Sequence, residues 1–285
     1  MLLEHCQTAE DHFTYLSTVL TDLYPSREAN TIATYIFEDL FQPIDGAAAP
    51  VYWTEKEQAV FERVVKELRE HRPWQYVVGS SQFYGLSFYV DEQVLIPRPE
   101  TEELVHFMIK RHKDQPIKIL DVGTGSGCIA ITLQKNLPAA TVTALDVSDG
   151  ALAIAQKNAT ANAVEVLCLP VDVLQAAQTA VLPRYQVIVS NPPYIPSTDQ
   201  ALMRANVLEH EPHLALFVTD NDSLQFYKVL AILGREKLQD EGWLYVEIHE
   251  DFGAQVVALF QGLGYKNCQV FQDMYGKDRI VMAQL

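Results

Sequence analysis

The chain has 285 residues, 48% of them hydrophobic, and a formal net charge of -16 from 21 Lys and Arg against 37 Asp and Glu. That length holds one large domain or two moderate ones. The charge argues against affinity gained by wrapping phosphate backbones, so direct nucleic-acid binding is not expected.

The segment to about Pro73 has helical periodicity. Leu16, Val19, Leu20 and Leu23 share one face, and Ile32, Tyr35, Ile36 and Leu40 share another. Val60, Phe61, Val64, Val65 and Leu68 form a third stripe, which Thr54 and Glu57 open as a capping box. Breaks at Tyr24-Pro25-Ser26 and Gln42-Pro43-Ile44-Asp45-Gly46 separate the helices. The next stretch, Ser81 to Pro97, alternates around Gly85 and again around Asp91-Glu92, as a strand pair does. Pro99 then opens a helix with Leu104, Val105, Met108 and Ile109 on one face.

From Pro116 strands and helices alternate. Strands are predicted at 117–122, 141–147, 164–169, 185–190 and 242–248, and at CQVFQ and RIVMAQL near the end. A helix is predicted from Cys128, and Ser148 is placed to cap another through Asn158. The pattern predicts a doubly wound, mainly parallel sheet. The last two strands have too short a connection for a helical crossover and form an antiparallel pair. No apolar run approaches the roughly 20 residues of a membrane span. The start, MLLEHCQTAEDHF, lacks the basic flank and apolar centre of a secretory leader. Cys6, Cys128, Cys168 and Cys268 are scattered without metal-ligand spacing, which fits reduced thiols in a cytoplasmic protein.

Three features fall at one edge of that sheet. Gly123-Thr124-Gly125-Ser126-Gly127 follows the first strand as GxGxG, with Cys128 where a dinucleotide fingerprint has its last glycine. A diphosphate needs a helix N-terminus aimed at it; a nucleoside with an amino-acid tail needs only the backbone turn. Asp146 ends the second strand, where a carboxylate meets ribose hydroxyls and repels a 2′-phosphate. Asp172, after the third strand, is placed to accept from an exocyclic adenine amine.

VSNPPYIP, Val189 to Pro196, ends the fourth strand with Asn191, Pro192, Pro193 and Tyr194. Two prolines fix φ and bring no competing N–H, so such a corner is stiff and its oxygens can face a ligand. Asn191 adds a side-chain amide to that corner and Tyr194 a flat ring. Glu209 to His213 carries metal-capable side chains, but Pro212 breaks their alignment and a surface loop is expected. Glu100, Glu102 and Glu103 complement a helix dipole; Arg98 could steer a peptide; Glu247 reads as a structural hydrogen-bonding group.

With NPPY at the end of strand four, the chain resembles class I S-adenosylmethionine-dependent methyltransferases. IPRPETEELV (96–105), LDVGTGSGCIAI (120–131), SNPPYIP (190–196) and EPHLAL (211–216) together resemble the PrmC/HemK family of protein-(glutamine-N5) methyltransferases. PWQYVVGSSQFYGLSFYV (73–90) and DMYGKDRIV are similar to that family's linker and closing hairpin. After EPHLAL the family continues Phe-Gly-Gly-x-Asp-Gly-Leu, whereas Phe217 to Leu224 here reads FVTDNDSL; Val173 stands where an aromatic residue is common.

The resemblance implies an α/β, Rossmann-like class I fold with an antiparallel C-terminal hairpin and a small N-terminal α-helical domain. It divides the chain into a helical substrate-docking domain (1–75), a β-hairpin linker (76–98) and a catalytic domain (99–285). It implies S-adenosylmethionine as cofactor, with S-adenosylhomocysteine as product. Class I peptide chain release factors would be the protein substrates, methylated on the glutamine of their Gly-Gly-Gln loop. By matching position, Gly123, Thr124, Gly125, Ser126, Gly127, Asp146, Asp172, Val173 and Asn191 would bind the cofactor. Asn191, Pro192, Pro193 and Tyr194 would bind substrate, with Asn191, Pro192 and Tyr194 catalytic. The rival reading is an adenine-N6 methyltransferase on DNA or RNA, which shares NPPY; the acidic balance and the lack of a basic run beside the loop argue against it. A non-catalytic S-adenosylmethionine-binding scaffold is the third.

Overall fold

The computed structural model describes residues 6–41, 53–196, 198, 200, 203, 205–218 and 222–285. The break expected at 42–46 lies outside them. The chain divides into two compact units, Met1–Ser80 with Arg204–His210, and Ser81–Met203 with Glu211–Leu285.

The first unit is helical: α1 (Ala9–Leu20), α2 (Ser26–Leu40), α3 (Glu55–Arg69), the short α4 (Trp74–Val78) and, from its later stretch, the one-turn helix Ala205–Leu208. The Thr54 hydroxyl accepts the Glu57 N–H while the Glu57 carboxylate takes the Thr54 N–H, the expected capping box. Thr8 and Asp11 do the same at α1. Leu16 and Leu20, Ile32 and Ile36, and Phe61, Val64 and Leu68 bury together, as the three stripes require. Tyr35 departs from its stripe. One position from Ile36 turns it about 100° round the helix, and it is 45% exposed, stacked on Trp74 at 5.5 Å between ring centroids.

The second unit opens with a hairpin, β1 (Ser81–Phe83) against β2 (Leu86–Phe88). Its two-residue turn holds Tyr84 and Gly85 at φ +50° and +73°, as a type I′ turn demands. The second alternation, around Asp91-Glu92, is not a strand pair. Asp91 Oδ1 instead accepts the Gln93 N–H at 2.9 Å. Val90, Val94 and Ile96 are buried because the chain lies on the core there, so period two arises without a ladder.

The remaining elements run α5 (Pro99–His112), β3 (Lys118–Val122), α6 (Cys128–Asn136), β4 (Thr141–Asp146), α7 (Asp149–Ala161), β5 (Leu167–Pro170), α8 (Ala176–Thr179), β6 (Tyr185–Ser190), β7 (Ile195–Pro196), α9 (Ala205–Leu208), α10 (His213–Leu216), β8 (Phe217–Val218), α11 (Gln225–Lys237), β9 (Leu238–Glu247), α12 (Gly253–Gly262), β10 (Lys266–Gln272) and β11 (Asp278–Gln284). Seven strands form one sheet in the order β10-β11-β9-β6-β3-β4-β5. β3, β4, β5, β6 and β9 are parallel; β11 is antiparallel to β9 and to β10. Successive residues of the central strands enter opposite cores: Ile119, Val187 and Val189 one, Leu120 and Ile188 the other. β5 starts three residues later than its apolar run, because Ala163 at φ +54° and the Val164 N–H bond to the Ala159 carbonyl end α7.

The chain leaves β3 toward β4 on one side and returns as β6 on the other. The crevice beyond the carboxyl ends of β3 and β6 is therefore the switch point, where open parallel sheets take ligands.

Candidate active site

The loop from β3 into α6 fills one side of that crevice. Gly123 and Thr124 donate their N–H groups to the Leu145 carbonyl, at 2.9 and 2.8 Å. Gly123, Gly125 and Gly127 all have positive φ, +72°, +53° and +82°. A Cβ on Gly123 or Gly125 would meet nothing within 4 Å, so this backbone is bare toward the crevice. A Cβ on Gly127 would strike Ile131 and Ala155, so that glycine serves helix packing. Ser126 is buried and its carbonyl accepts Asn158 Nδ2 at 2.8 Å. The same Asn158 side chain holds both backbone groups of Tyr89, which moors the loop to the segment after the hairpin.

Asp146 at the end of β4 takes the Gly125 N–H on Oδ2 (2.9 Å) and the Ser148 N–H on Oδ1 (3.0 Å). Both oxygens are fixed by backbone and each keeps a lone pair for hydroxyls. Burial pushes its carboxyl upward against those two bonds. Asp172 closes a turn onto the Leu174 N–H at 2.9 Å, and Val173 packs half-buried against the core that holds Leu169 and Val246. Bare glycine backbone beside a carboxylate held for hydroxyls fits a nucleoside.

NPPY forms the opposite wall, after β6. Pro192 is buried, and Asn191, Pro193 and Tyr194 are half-buried. Ile195 and Pro196 continue as β7, paired in parallel with β8, so the segment after EPHLAL braces the corner. Asn191 Nδ2 donates to Thr101 Oγ at 3.2 Å, which leaves its Oδ1 facing away from Thr101. The Thr101 hydroxyl donates to Glu247 Oε2 at 2.6 Å, and the Tyr194 hydroxyl reaches Glu247 Oε1 at 3.5 Å. Thus β6, the first turn of α5 and the end of β9 meet in one chain of hydrogen bonds.

Comparison with known proteins supplies the family. A family model described as the methyltransferase small domain matches residues 101–222. The release factor glutamine methyltransferase of Flavobacterium psychrophilum is 42% identical over 279 residues, 95% of this chain and 97% of that one. That of Bacteroides thetaiotaomicron is 42% identical over 275 residues, 94% and 97% of the two chains. The chain belongs to the release factor glutamine methyltransferase family. Among solved structures, a methyltransferase from Pyrococcus furiosus superposes with a TM-score of 0.55 at 17% identity, over 76% of this chain and 98% of that one, a likeness of fold.

The family's IPRPETE stretch has a structural meaning the sequence alone conceals. Arg98 pairs with Glu211 at 2.6 Å, and Glu211 Oε2 also takes the Ile96 N–H at 3.3 Å. The expected surface loop at 209–213 is corrected here: Glu211 is 3% exposed, because two donors from a distant segment compensate its charge. Arg98 is accordingly engaged in anchoring. Glu102 takes the Tyr84 N–H of the hairpin turn (2.9 Å), and Glu103 takes the Met274 N–H of the β10–β11 turn (3.1 Å). The motif, with Glu103 just after it, is thus a hub: besides the Thr101 bonds to Asn191 and Glu247 it fastens the Glu211 segment, the hairpin turn and the β10–β11 turn, beyond the dipole complement expected of it.

Two buried carboxyls behind the crevice carry unusual electrostatics. Burial pushes Asp121, at the end of β3, up to about 7, although its Oδ2 accepts the Thr124 hydroxyl at 2.6 Å. Burial pushes Glu247 up to about 7 as well, opposed by the Thr101 hydroxyl and Arg279. Glu247 is a hydrogen-bonding group as the sequence suggests, but its partners are Thr101 and Tyr194. Thr101 and Asp121 lie within the IPRPETEELV and LDVGTGSGCIAI stretches, but nothing local in the sequence gives either side chain a partner.

Proposed function

We propose that this protein transfers a methyl group from S-adenosylmethionine to the side-chain amide nitrogen of a glutamine in peptide chain release factors. The observation that carries this reading is the Asn191 amide: its nitrogen is committed to Thr101, so its oxygen is the atom offered to a ligand. A planar carboxamide has two N–H donors, and Asn191 Oδ1 with the Pro192 carbonyl provides two acceptors.

A carboxamide nitrogen is a poor nucleophile because its lone pair is delocalised. Bound S-adenosylmethionine supplies a methyl already activated on a sulfonium sulfur. What this chain contributes is orientation. Gly123, Gly125 and Asp146 would hold the nucleoside, and Asp172 and Val173 would serve its base. Asn191 Oδ1 and the Pro192 carbonyl fix the NH₂ plane and favour the positive charge that develops on nitrogen. Pro192 and Pro193 have no N–H to compete, and the Tyr194 ring limits rotation of the amide. Such positioning lowers a barrier by roughly 7–11 kcal/mol without a strong base, and the surplus N–H proton leaves to water after transfer.

The helical stretch, residues 1–75, would dock the release factor, residues 76–98 would link it, and residues 99–285 would perform the transfer on the glutamine of the Gly-Gly-Gln loop. Among the described residues no helix is long and apolar enough to cross a membrane, and the reading places the protein in the cytoplasm with translation. Incubation with S-adenosylmethionine and a class I release factor should add about 14 Da, one methyl replacing hydrogen, to the Gly-Gly-Gln glutamine. Transfer of label to DNA or RNA instead of protein would overturn it.

A further inference from the structure

We infer that Thr101 and Glu247 are positioning residues that decide which end of the Asn191 amide faces the substrate. The inference rests on the reading of Asn191 Oδ1 as an acceptor for the substrate carboxamide.

The oxygen and nitrogen ends of an asparagine amide have nearly the same shape, so packing alone does not choose between them. The wrong choice would set an NH₂ against an NH₂. Direction comes from the far end of the hydrogen-bond chain. An ionised carboxylate only accepts. Glu247 Oε2 therefore takes the Thr101 proton, at 2.6 Å. Thr101 Oγ then has only lone pairs left, and Asn191 must present Nδ2 to it, at 3.2 Å. Oδ1 is turned outward as a result. The second carboxylate oxygen faces the Tyr194 hydroxyl at 3.5 Å, so one side chain at the end of β9 restrains both the polar and the aromatic part of the corner. Glu247 is 1% exposed and Thr101 2%, which leaves no room for bulk water to substitute.

A buried carboxylate is an expensive way to end a strand. Glutamine would fill the same space, but its NH₂ donates, and Thr101 could then donate onward to Asn191 and reverse the amide. Protonated Glu247 has the same freedom. The groups acting on its charge are Arg279 from β11, which favours the anion, Glu100 in the first turn of α5, which opposes it, and Tyr194 from the corner itself; the Tyr227 hydroxyl of α11 and the Cys128 thiol at the start of α6 also face it, both held neutral by burial. The ionised form is the one that sets Asn191 correctly, so turnover is lost as pH falls through the Glu247 titration.

The test compares wild type with Thr101→Val, Thr101→Ser and Glu247→Gln, after calorimetry with S-adenosylmethionine has shown each to be folded. Thr101→Val is expected to cut kcat on the order of 10- to 100-fold, as loss of a bond tied to a charge does, with cofactor affinity and release-factor KM within about threefold. Thr101→Ser keeps the hydroxyl and is expected to restore kcat to within about threefold of wild type. The acid limb of the wild-type profile is expected to vanish in Thr101→Val and Glu247→Gln. Without cofactor or substrate, the Asn191 side-chain NH₂ signals in NMR should exchange slowly in wild type and Thr101→Ser, and faster in Thr101→Val. Wild-type kcat and pH profile in Thr101→Val, or unchanged NH₂ exchange, would overturn the inference. Wild type that methylates no release factor would overturn the functional reading instead, while the NMR comparison would still judge the positioning.

Discussion

The two walls of the crevice are made of different material. The β3–α6 wall is backbone: three glycines at positive φ, two N–H groups on the Leu145 carbonyl, and an Asp146 carboxylate whose oxygens both rest on main-chain N–H. The β6 wall, apart from the Pro192 carbonyl, is side chain: Asn191, Thr101, Glu247 and Tyr194, drawn from three elements and linked by hydroxyls and one carboxylate. A backbone wall is set by local conformation, suits a ligand of constant shape and is hurt by any residue that cannot hold φ. A side-chain wall carries chemical selectivity and fails when one proton is misplaced.

That contrast can be broken by kinetics. Asn191→Ala should lower kcat by about a hundred- to a thousandfold, the usual effect of removing an acceptor or donor aligned on transition-state charge, with a much smaller fall in S-adenosylmethionine affinity by calorimetry. Equal losses in both would mean that the walls are not separate. Glu211→Ala strands Arg98 and the Ile96 N–H and should cost about 2–3 kcal/mol in urea unfolding, less than a fully buried pair because Arg98 is partly exposed. Stability should also depend on pH through Glu247. Its folded carboxyl, near 7, lies above an ordinary glutamate, so the folded state holds the proton more tightly. Stability is therefore lost as pH rises from about 4.5 to about 7. Glu247→Gln should reduce that slope, leaving the part that the equally raised Asp121 carboxyl contributes, and gain on the order of 1–2 kcal/mol at higher pH, while turnover falls. Gly125→Ala should do the opposite of Asn191→Ala: strain at φ +53° weakens the cofactor about tenfold, and kcat at saturation stays close to wild type. Thr54→Ala, a cap in the helical unit, should cost only about 1 kcal/mol in thermal unfolding and leave cofactor affinity alone.

The backbone wall was largely legible in the sequence. Glycines after an apolar run, and an acid at the end of the next strand, lie close together in the chain and obey local rules. The capping box at Thr54 and the seven strands were legible for the same reason. Asn191 to Tyr194 showed as an anomaly at a strand end. What supports it did not show, because Thr101 is 90 residues away and Glu247 more than 50, and only the strand order of the sheet brings them together. Glu211 was hidden in the same way by its distance from Arg98. The stretch around Asp91 misled because a chain lying on a core alternates as a strand does.

The most direct measurement is a crystal structure of the protein with S-adenosylhomocysteine and a release factor carrying its Gly-Gly-Gln loop. The glutamine carboxamide nitrogen is expected within hydrogen-bond reach of both Asn191 Oδ1 and the Pro192 carbonyl, with Asn191 Nδ2 still on Thr101. A carboxamide bound elsewhere, or one whose oxygen meets the Asn191 NH₂, would contradict the account.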